Sequence, residues 1–198
     1  MINFDFKKNY VLEDNIARLV PLSMDHIQLL LPIAQEPDIW TYAPEKCDNL
    51  FRLTEYVSAA IQNKNDDKDY PFAVFDKRTA QIAGTTRFCE INGAIQAMRM
   101  GYTWYGKAFR GTGLNKHCKY LMFQFAFEAM NIERIGLAAF RDNHRSIAAM
   151  QSVGCIQEGV FRGLFPTADG NGRTDAILFS LLKSDWYGGI KDNLKDKL

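Results

Sequence analysis

The sequence predicts one α/β domain built on a mixed, mostly antiparallel sheet, and three observations predict it. Between residues 24 and 62 the apolar pattern has a helical period, and it changes to strand periodicity after residue 69. Three strand-length runs then succeed one another across short polar turns, which favours an antiparallel meander. Finally, a helix, a strand, a helix and two more strands complete a chain of 198 residues, a length that suits one compact domain.

Residues 16–22 alternate apolar and polar well enough for a first strand. Ser23 has the chemistry of an N-cap for a helix from Met24 to Gln35. Pro37 and Pro44 punctuate the irregular segment that carries Trp40 and Tyr42. A second helix fits Leu50 to Gln62, with Leu53, Val57, Ala60 and Ile61 along one side. The run Asn63 to Asp69 reads as a solvated loop. Strands are expected at Phe72–Phe75, Ile82–Ile91 and Met98–Tyr105, with turns at Asp76-Lys77 and Asn92-Gly93.

Leu114 to Met130 carries apolar residues at helical spacing, Ile135–Phe140 is a short strand, and Ser146–Val153 is a helix closed by Gly154. Val160–Phe165 and Thr174–Leu182 read as a hairpin across Asp169-Gly170-Asn171-Gly172. Residues 1–10 read as an N-terminal arm and 191–198 as a frayed tail.

A formal net charge of +1 argues against a protein held on nucleic acid by bulk charge. No stretch approaches the roughly twenty apolar residues a membrane helix needs, and the polar start, Met1 to Lys8, has no apolar export signal. The four cysteines are far apart with no CxxC pair, so neither a metal site nor a disulfide framework is expected. Reduced thiols in a cytoplasmic protein are the expectation. Cys118 and Cys155 read as core, and His117 and His144 as solvent-facing or phosphate-flanking.

The chemistry concentrates where the third meander strand runs into the long helix. Gly111 and Gly113 let backbone N–H groups approach a ligand closely. The helix that follows exposes unpaired N–H groups and about half a unit of positive charge. A phosphate fits such a place, with Arg110 and Lys116 flanking it. An ordinary strand-to-helix turn would look similar. The segment lacks the Lys-Ser or Lys-Thr of a P-loop and the third glycine of a dinucleotide fingerprint.

Arg110-Gly111-Thr112-Gly113-Leu114-Asn115 resembles motif A of the GCN5-related N-acetyltransferases, with Arg110 and Gly113 on the defining positions and Asn115 replacing the usual small residue. Asn143-His144-Arg145-Ser146, with Gly154 eleven residues after Asn143, resembles that family's second conserved segment. Stretches 13–23, 39–44, 101–105, 109–115, 141–146 and 158–162 are together similar to the branch containing the ribosomal-protein N-terminal acetyltransferases.

The resemblance implies a six- to seven-stranded sheet splayed into a V with helices on both faces, and acetyl-CoA as cosubstrate. It also implies direct attack by a primary amine, for which the branch suggests a protein N-terminus. Residues Arg110 to Asn115 with Lys116 would hold the pyrophosphate. The backbone of Tyr102, Thr103 and Trp104, and the Asn143 side chain, would hold the pantetheine arm. Trp40 and Tyr42 would wall the acceptor cleft or pack in the core.

Many relatives carry a Glu near the position of Arg99, and arginine cannot serve as a base. Glu90, acting through water, is the substitute candidate. Relatives often place a Tyr where Met150 stands, which leaves Ser146 as the nearest hydroxyl for an acid. Three rival readings remain: a catalytically silent acyl-CoA-binding module, an interaction protein that keeps the fold but has lost the donor, and an acetyltransferase of small amines such as polyamines or aminoglycosides. A homodimer is left open.

Overall fold

The computed structural model describes residues 2–43, 45–167 and 171–198. Strands β1 (Leu12–Glu13), β2 (Ala17–Pro21), β3 (Tyr70–Asp76), β4 (Gln81–Asn92), β5 (Ala97–Tyr105), β6 (Arg134–Phe140), β7 (Ile156–Pro166) and β8 (Arg173–Leu182) form one sheet in the order β1-β2-β3-β4-β5-β6-β8-β7. Every neighbouring pair is antiparallel except β5 and β6, which run parallel. The sheet has eight strands rather than six or seven, because the two-residue β1 pairs with β2 and is too short to show a period.

The helices are α1 (Ile27–Ala34), α2 (Leu50–Asn65), α3 (Leu114–Gln124), α4 (His144–Ser152), α5 (Lys183–Asp185) and α6 (Lys191–Lys195). Thr103 meets Lys119 of α3 while Trp104 meets Tyr56 of α2. Successive strand residues point to opposite faces, so α2 and α3 cover opposite sides of the sheet. The antiparallel meander β3–β4–β5 and both of its turns lie where the sequence places them.

Several boundaries differ from expectation for identifiable reasons. The first helix opens with a 3-10 turn at Met24–His26, where the Ser23 N–H donates to His26 Nδ1 at 3.1 Å. Asn49 caps α2 by accepting the Arg52 N–H at 3.0 Å, and the helix runs on to Asn65, into the segment read as a loop. Asp69, at the end of that segment, is buried and accepts from Arg87. The long helix ends its regular course at Gln124 and continues through a wider π turn, Phe125–Ala129. α4 begins at His144 rather than Ser146, because Asn143 caps it by accepting the Ser146 N–H. Strands β7 and β8 pair as read, but the centre of their turn, Ala168 to Gly170, lies outside the described residues.

Both ends of the chain are held down. Phe4 and Tyr10 pack against Tyr70 and Phe125, and the Tyr70 hydroxyl donates to the Lys8 carbonyl at 2.7 Å. The tail read as frayed instead folds back on α3. Trp186, fully buried, meets Tyr120, Phe123 and Phe127, and Leu194 is buried as well. One helical turn beyond the last strand was enough to return Trp186 to the core, and burying so large a ring contributes about 2–3 kcal/mol.

Candidate active site

The sheet parts between β5 and β6. Their pairing covers Ala97↔Arg134, Met98↔Ile135 and Arg99↔Gly136, and goes no further. Each strand then keeps only its outer partner: β5 stays with β4 to Tyr105↔Gly84, and β6 stays with β8 to Phe140↔Ala176. The result is a V whose inner edges are backbone groups of β5 and β6.

A bulge sharpens the parting. The β4–β5 register shifts between Thr85 and Arg87, and Tyr102 takes a left-handed φ of 51°. A non-glycine residue there stores strain, and the surroundings hold it. Thr85 Oγ1 donates to the Tyr102 carbonyl at 3.2 Å, and the Tyr102 ring lies 3.9 Å from the Arg87 guanidinium. Opposite the bulge, a Cβ on Gly84 would come within 1.9 Å of the Trp104 carbonyl, so only glycine lets β4 and β5 close at that rung.

The glycine loop stands at the open end of β5. Gly111 and Gly113 have φ of 73° and 88°, and a Cβ on either would meet nothing within 4 Å. Their conformation is the left-handed one glycine favours, and their exposed faces look into open space. Gly113 is the N-cap of α3, whose first N–H groups have no intrahelical partner.

Side chains brace this loop from two sides. Arg110 donates through Nε to the Tyr105 carbonyl at 2.8 Å and is ion-paired with Asp38. Arg78, oriented by the buried Asp76, donates to the Thr112 carbonyl at 3.0 Å and to Thr112 Oγ1 at 3.2 Å. The guanidinium of Arg110 is thus occupied in fixing the loop, while Lys116 stands half-buried at its rim. Hydrogen bonding from Arg110, with a second contact from Arg145, holds the Asp38 carboxyl below the usual range. Arg78 does the same for Asp76.

Asn143 lies just past the end of β6, across the V from β5. Its Oδ1 accepts the Ser146 N–H at 3.1 Å, so the carbonyl end of that amide is committed to capping α4. Ser146 is half-buried and Met150 buried in the same helix. His144 is exposed. His117 is not a flanking group: it is buried and its Nδ1 lies 2.7 Å from Asp14 Oδ2, tying α3 to the β1–β2 turn. Burial pushes the Asp14 carboxyl up, but the Ala17 N–H, His117 and the Ile16 N–H outweigh it and leave it lowered.

The segment between α1 and α2 crosses the mouth of the V. Trp40 is buried; its Nε1 donates to the Ala34 carbonyl at 2.7 Å, and its ring lies 5.3 Å from Trp104 on the β5 side. Tyr42, more exposed, faces Phe140 on the β6 side at 6.2 Å, and Phe140 stacks on Phe165 at 4.4 Å. Trp40 is therefore a core residue, while Tyr42 is exposed. Behind Trp104, its Nε1 donates to the Tyr56 hydroxyl at 3.3 Å, and the buried pair Arg87–Asp69 closes the floor at 3.2 Å. Glu90 lies beside the last rung joining β5 to β6, where the two strands part. It is 64% exposed and its carboxylate is ion-paired with Arg99 at 3.0 Å.

The sequence reading missed Asp38, Tyr56, Arg78, Arg87 and Lys119. Lys119 alone left a local trace, a lysine among the apolar positions of α3. The other four act through contacts 18 to 72 residues away in the chain. Cys118 and Cys155 are core residues, as read.

Residues 17–156 match the family model described as an acetyltransferase (GNAT) domain. The chain is 28% identical over 112 residues to "Probable N-acetyltransferase YjcK" of Bacillus subtilis, covering 56% of this chain and 59% of that protein. It is 33% identical over 91 residues to "Putative ribosomal N-acetyltransferase YdaF" of the same organism, covering 45% and 47%. These matches span about half the length of the two relatives. Among solved structures, a GCN5-related N-acetyltransferase from Brucella melitensis shares the fold with a TM-score of 0.85 at 23% identity, over 96% of this chain and 85% of that one. Ribosomal-protein-S5-alanine acetyltransferase from Vibrio fischeri does so with a TM-score of 0.74 at 17% identity, over 89% and 98%. Since the family model spans most of the sheet, from β2 to the start of β7, the chain belongs to the GNAT acetyltransferase family, which uses acetyl-CoA as cosubstrate.

Proposed function

We propose that this chain moves acetyl from acetyl-CoA to a primary amine, and that the amine is the N-terminus of a protein. The observation that carries the reading is the parted pair β5–β6, with the open glycine loop at the end of the same strand. That wedge offers backbone donors along its inner edge and an anion site at its end. In this reading the pyrophosphate lies on the N–H groups from Gly111 to Asn115, with Lys116 adding charge. Arg110 and Thr112 keep the loop in shape through Asp38 and Arg78. The backbone of Tyr102, Thr103 and Trp104 and the Asn143 amide hold the pantetheine arm.

The reaction is then a direct substitution. The amine nitrogen forms its bond to the acetyl carbon, the carbon–sulfur bond breaks, and the thiolate leaves with a proton delivered from the site or from water. Holding the thioester against the amine supplies much of the acceleration. Backbone N–H groups near the bulge polarise its carbonyl. The acceptor enters between Trp40 and Trp104 on one side and Tyr42, Phe140 and Phe165 on the other. The names of YdaF and of the Vibrio fischeri structure support a protein N-terminus.

One observation favours a second reading: Glu90 is engaged with Arg99, and Met150 brings no proton. That combination fits a silent acyl-CoA-binding module. Thiol release from acetyl-CoA, measured against N-terminal peptides, polyamines and aminoglycosides, separates the cases. Turnover highest on peptides is the expected result. Preference for small amines would overturn the acceptor assignment, and tight binding without turnover on any amine would establish the module.

A further inference from the structure

The far wall of the proposed cleft owes its position to an irregularity in β7. Phe161 pairs with Ala176, and Phe165 pairs with Thr174. Between those rungs β8 supplies one residue, Asp175, while β7 supplies residues 162–164. A regular antiparallel ladder matches residues one to one, so the β7 side is longer than its partner here. At about 3.3 Å per residue, two surplus residues draw Phe165 roughly 7 Å back toward Phe161. There its ring stacks on Phe140, with the centroids 4.4 Å apart. Phe140 pairs with Ala176 from the other side of β8. Ala176 is small and buried, so the two rings can meet across that strand.

Residues 162–164 have no rung in the ladder with β8, and two β8 side chains hold their backbone instead. Asp175 Oδ1 accepts the Gly163 N–H at 2.9 Å. Gly163 takes a left-handed φ of 57°, which glycine adopts at little cost. Arg173 donates to the Gly163 carbonyl and, at 2.9 Å, to the Leu164 carbonyl. Asp175 Oδ2 accepts from Arg141 at 3.0 Å, and the Arg141 N–H donates to the Asp175 carbonyl at 3.0 Å. One residue thus ties the bulge of β7 to the end of β6. The Gly163 N–H, and after it Arg141, hold the Asp175 carboxyl below its ordinary range. Side chains alternate along a strand, so Thr174 and Ala176 share the face of Phe140 and Phe165. Arg173 and Asp175 lie on the reverse face, behind the rings.

We propose that Asp175 is a positioning residue for acceptor recognition. By accepting the Gly163 N–H it keeps β7 contracted, which seats Phe165 on Phe140 and fixes that wall of the cleft. The inference rests on the acceptor cleft of the acetyltransferase reading above. It adds a residue that touches neither acetyl-CoA nor the amine and acts through the Phe165 ring. Without that hydrogen bond the bulge loses the acceptor that replaces its missing rung, β7 relaxes outward, and the ring leaves its partner.

The test compares Asp175→Ala, Asp175→Asn, Phe165→Leu and the double variant Asp175→Ala/Phe165→Leu with the wild type. Thiol release is measured on the peptide that the wild type acetylates fastest, alongside thermal shift with CoA. Asp175→Ala should raise the acceptor KM about tenfold, the scale of one lost ring contact. Its kcat should change less than about twofold, the pattern of lost binding shared by ground and transition states. CoA-induced stabilisation should persist, since the glycine loop follows β5 on the other arm of the V. Asp175→Asn keeps an oxygen for the Gly163 N–H and loses only an exposed ion pair, so its KM should stay within about threefold of wild type. The double variant should be no worse than Phe165→Leu alone, because both changes act on one ring. A merely structural role for Asp175 would not produce that non-additivity. If Asp175→Ala does not fold, Arg173→Met removes the donors to the Gly163 and Leu164 carbonyls from an exposed side chain and should raise KM in the same way. An unchanged KM in a folded Asp175→Ala or Arg173→Met, an Asn variant as impaired as Ala, or additive losses in the double variant would each overturn the proposal. A wild type that turns over no amine would instead overturn the acetyltransferase reading.

Discussion

The proposed donor end and the proposed acceptor side of the V are built from different materials. At the donor end the working surface is backbone: two glycines with φ of 73° and 88° and the first turn of α3, braced from behind by Arg110–Asp38 and Arg78–Thr112. On the acceptor side the working surface is side chains: Trp40, Tyr42, Tyr56, Trp104 and Phe140, drawn from α2, β5, β6 and the segment between α1 and α2. A backbone site tolerates little variation in its glycines. A side-chain site can change its walls while the sheet beneath it stays the same.

That contrast can be broken or sharpened by substitution. The largest effect is expected at Arg87, whose removal leaves Asp69 buried without its cation. Arg87→Met should lower stability by about 3–5 kcal/mol in urea unfolding, and should raise the acceptor KM more than the CoA Kd, because the Tyr56 ring that meets Trp104 loses the guanidinium packed on it. Equal damage to both would show that the two sides are not separable. Gly84→Ala should cost about 1–3 kcal/mol through the collision with the Trp104 carbonyl, and should weaken donor and acceptor together, since it disturbs the bulge they share.

Asp38 joins the two sides directly, reaching from the acceptor segment to Arg110 and Arg145. Asp38→Asn frees both arginines from a competing carboxylate. CoA affinity should change less than about fivefold, as expected for a partly exposed pair, while the acceptor KM rises. Kinetics at two salt concentrations would check it, and a larger loss of CoA binding than of acceptor binding would contradict the assignment.

The smallest effect concerns β7, outside both sites. There Arg134 and Ser180 pull the Glu158 carboxyl down to about 2. A depressed carboxyl stabilises the fold above its unfolded value, near 4.3, and that contribution fades as pH falls toward 2. Thermal scans between those limits should show a steeper acid loss in the wild type than in Glu158→Gln, the wild type being the more stable near neutrality and the gap closing toward pH 2.

The same contrast explains what the sequence revealed. The glycine loop and the meander were legible because each is local: a turn that only glycine accepts and strands joined by short turns; the segment at Asn143 was legible through the family resemblance, and its capping role was not. The V itself is an absence of pairing between β5 and β6, and no residue type encodes it, so only the family resemblance suggested it. Arg78, Asp38 and the Arg87–Asp69 pair were illegible because a charged residue in a polar stretch looks like surface until its partner arrives from elsewhere. Lys119 was the exception that could have been caught. A lysine between Cys118 and Tyr120, with Met122 and Phe123 one turn on, breaks the apolar pattern of α3.

The most direct test of the donor site is thermal unfolding of the wild type and Gly113→Asp with and without CoA. Aspartate at a left-handed position costs about 1 kcal/mol by itself, so the quantity to compare is the shift that CoA produces in each protein. At a concentration near a hundredfold above Kd, the wild type should gain about 5–10 °C. Gly113→Asp should gain almost nothing, because a carboxylate then faces the pyrophosphate. Equal shifts in the two proteins, or none in the wild type, would contradict the placement of the donor at Arg110 to Asn115.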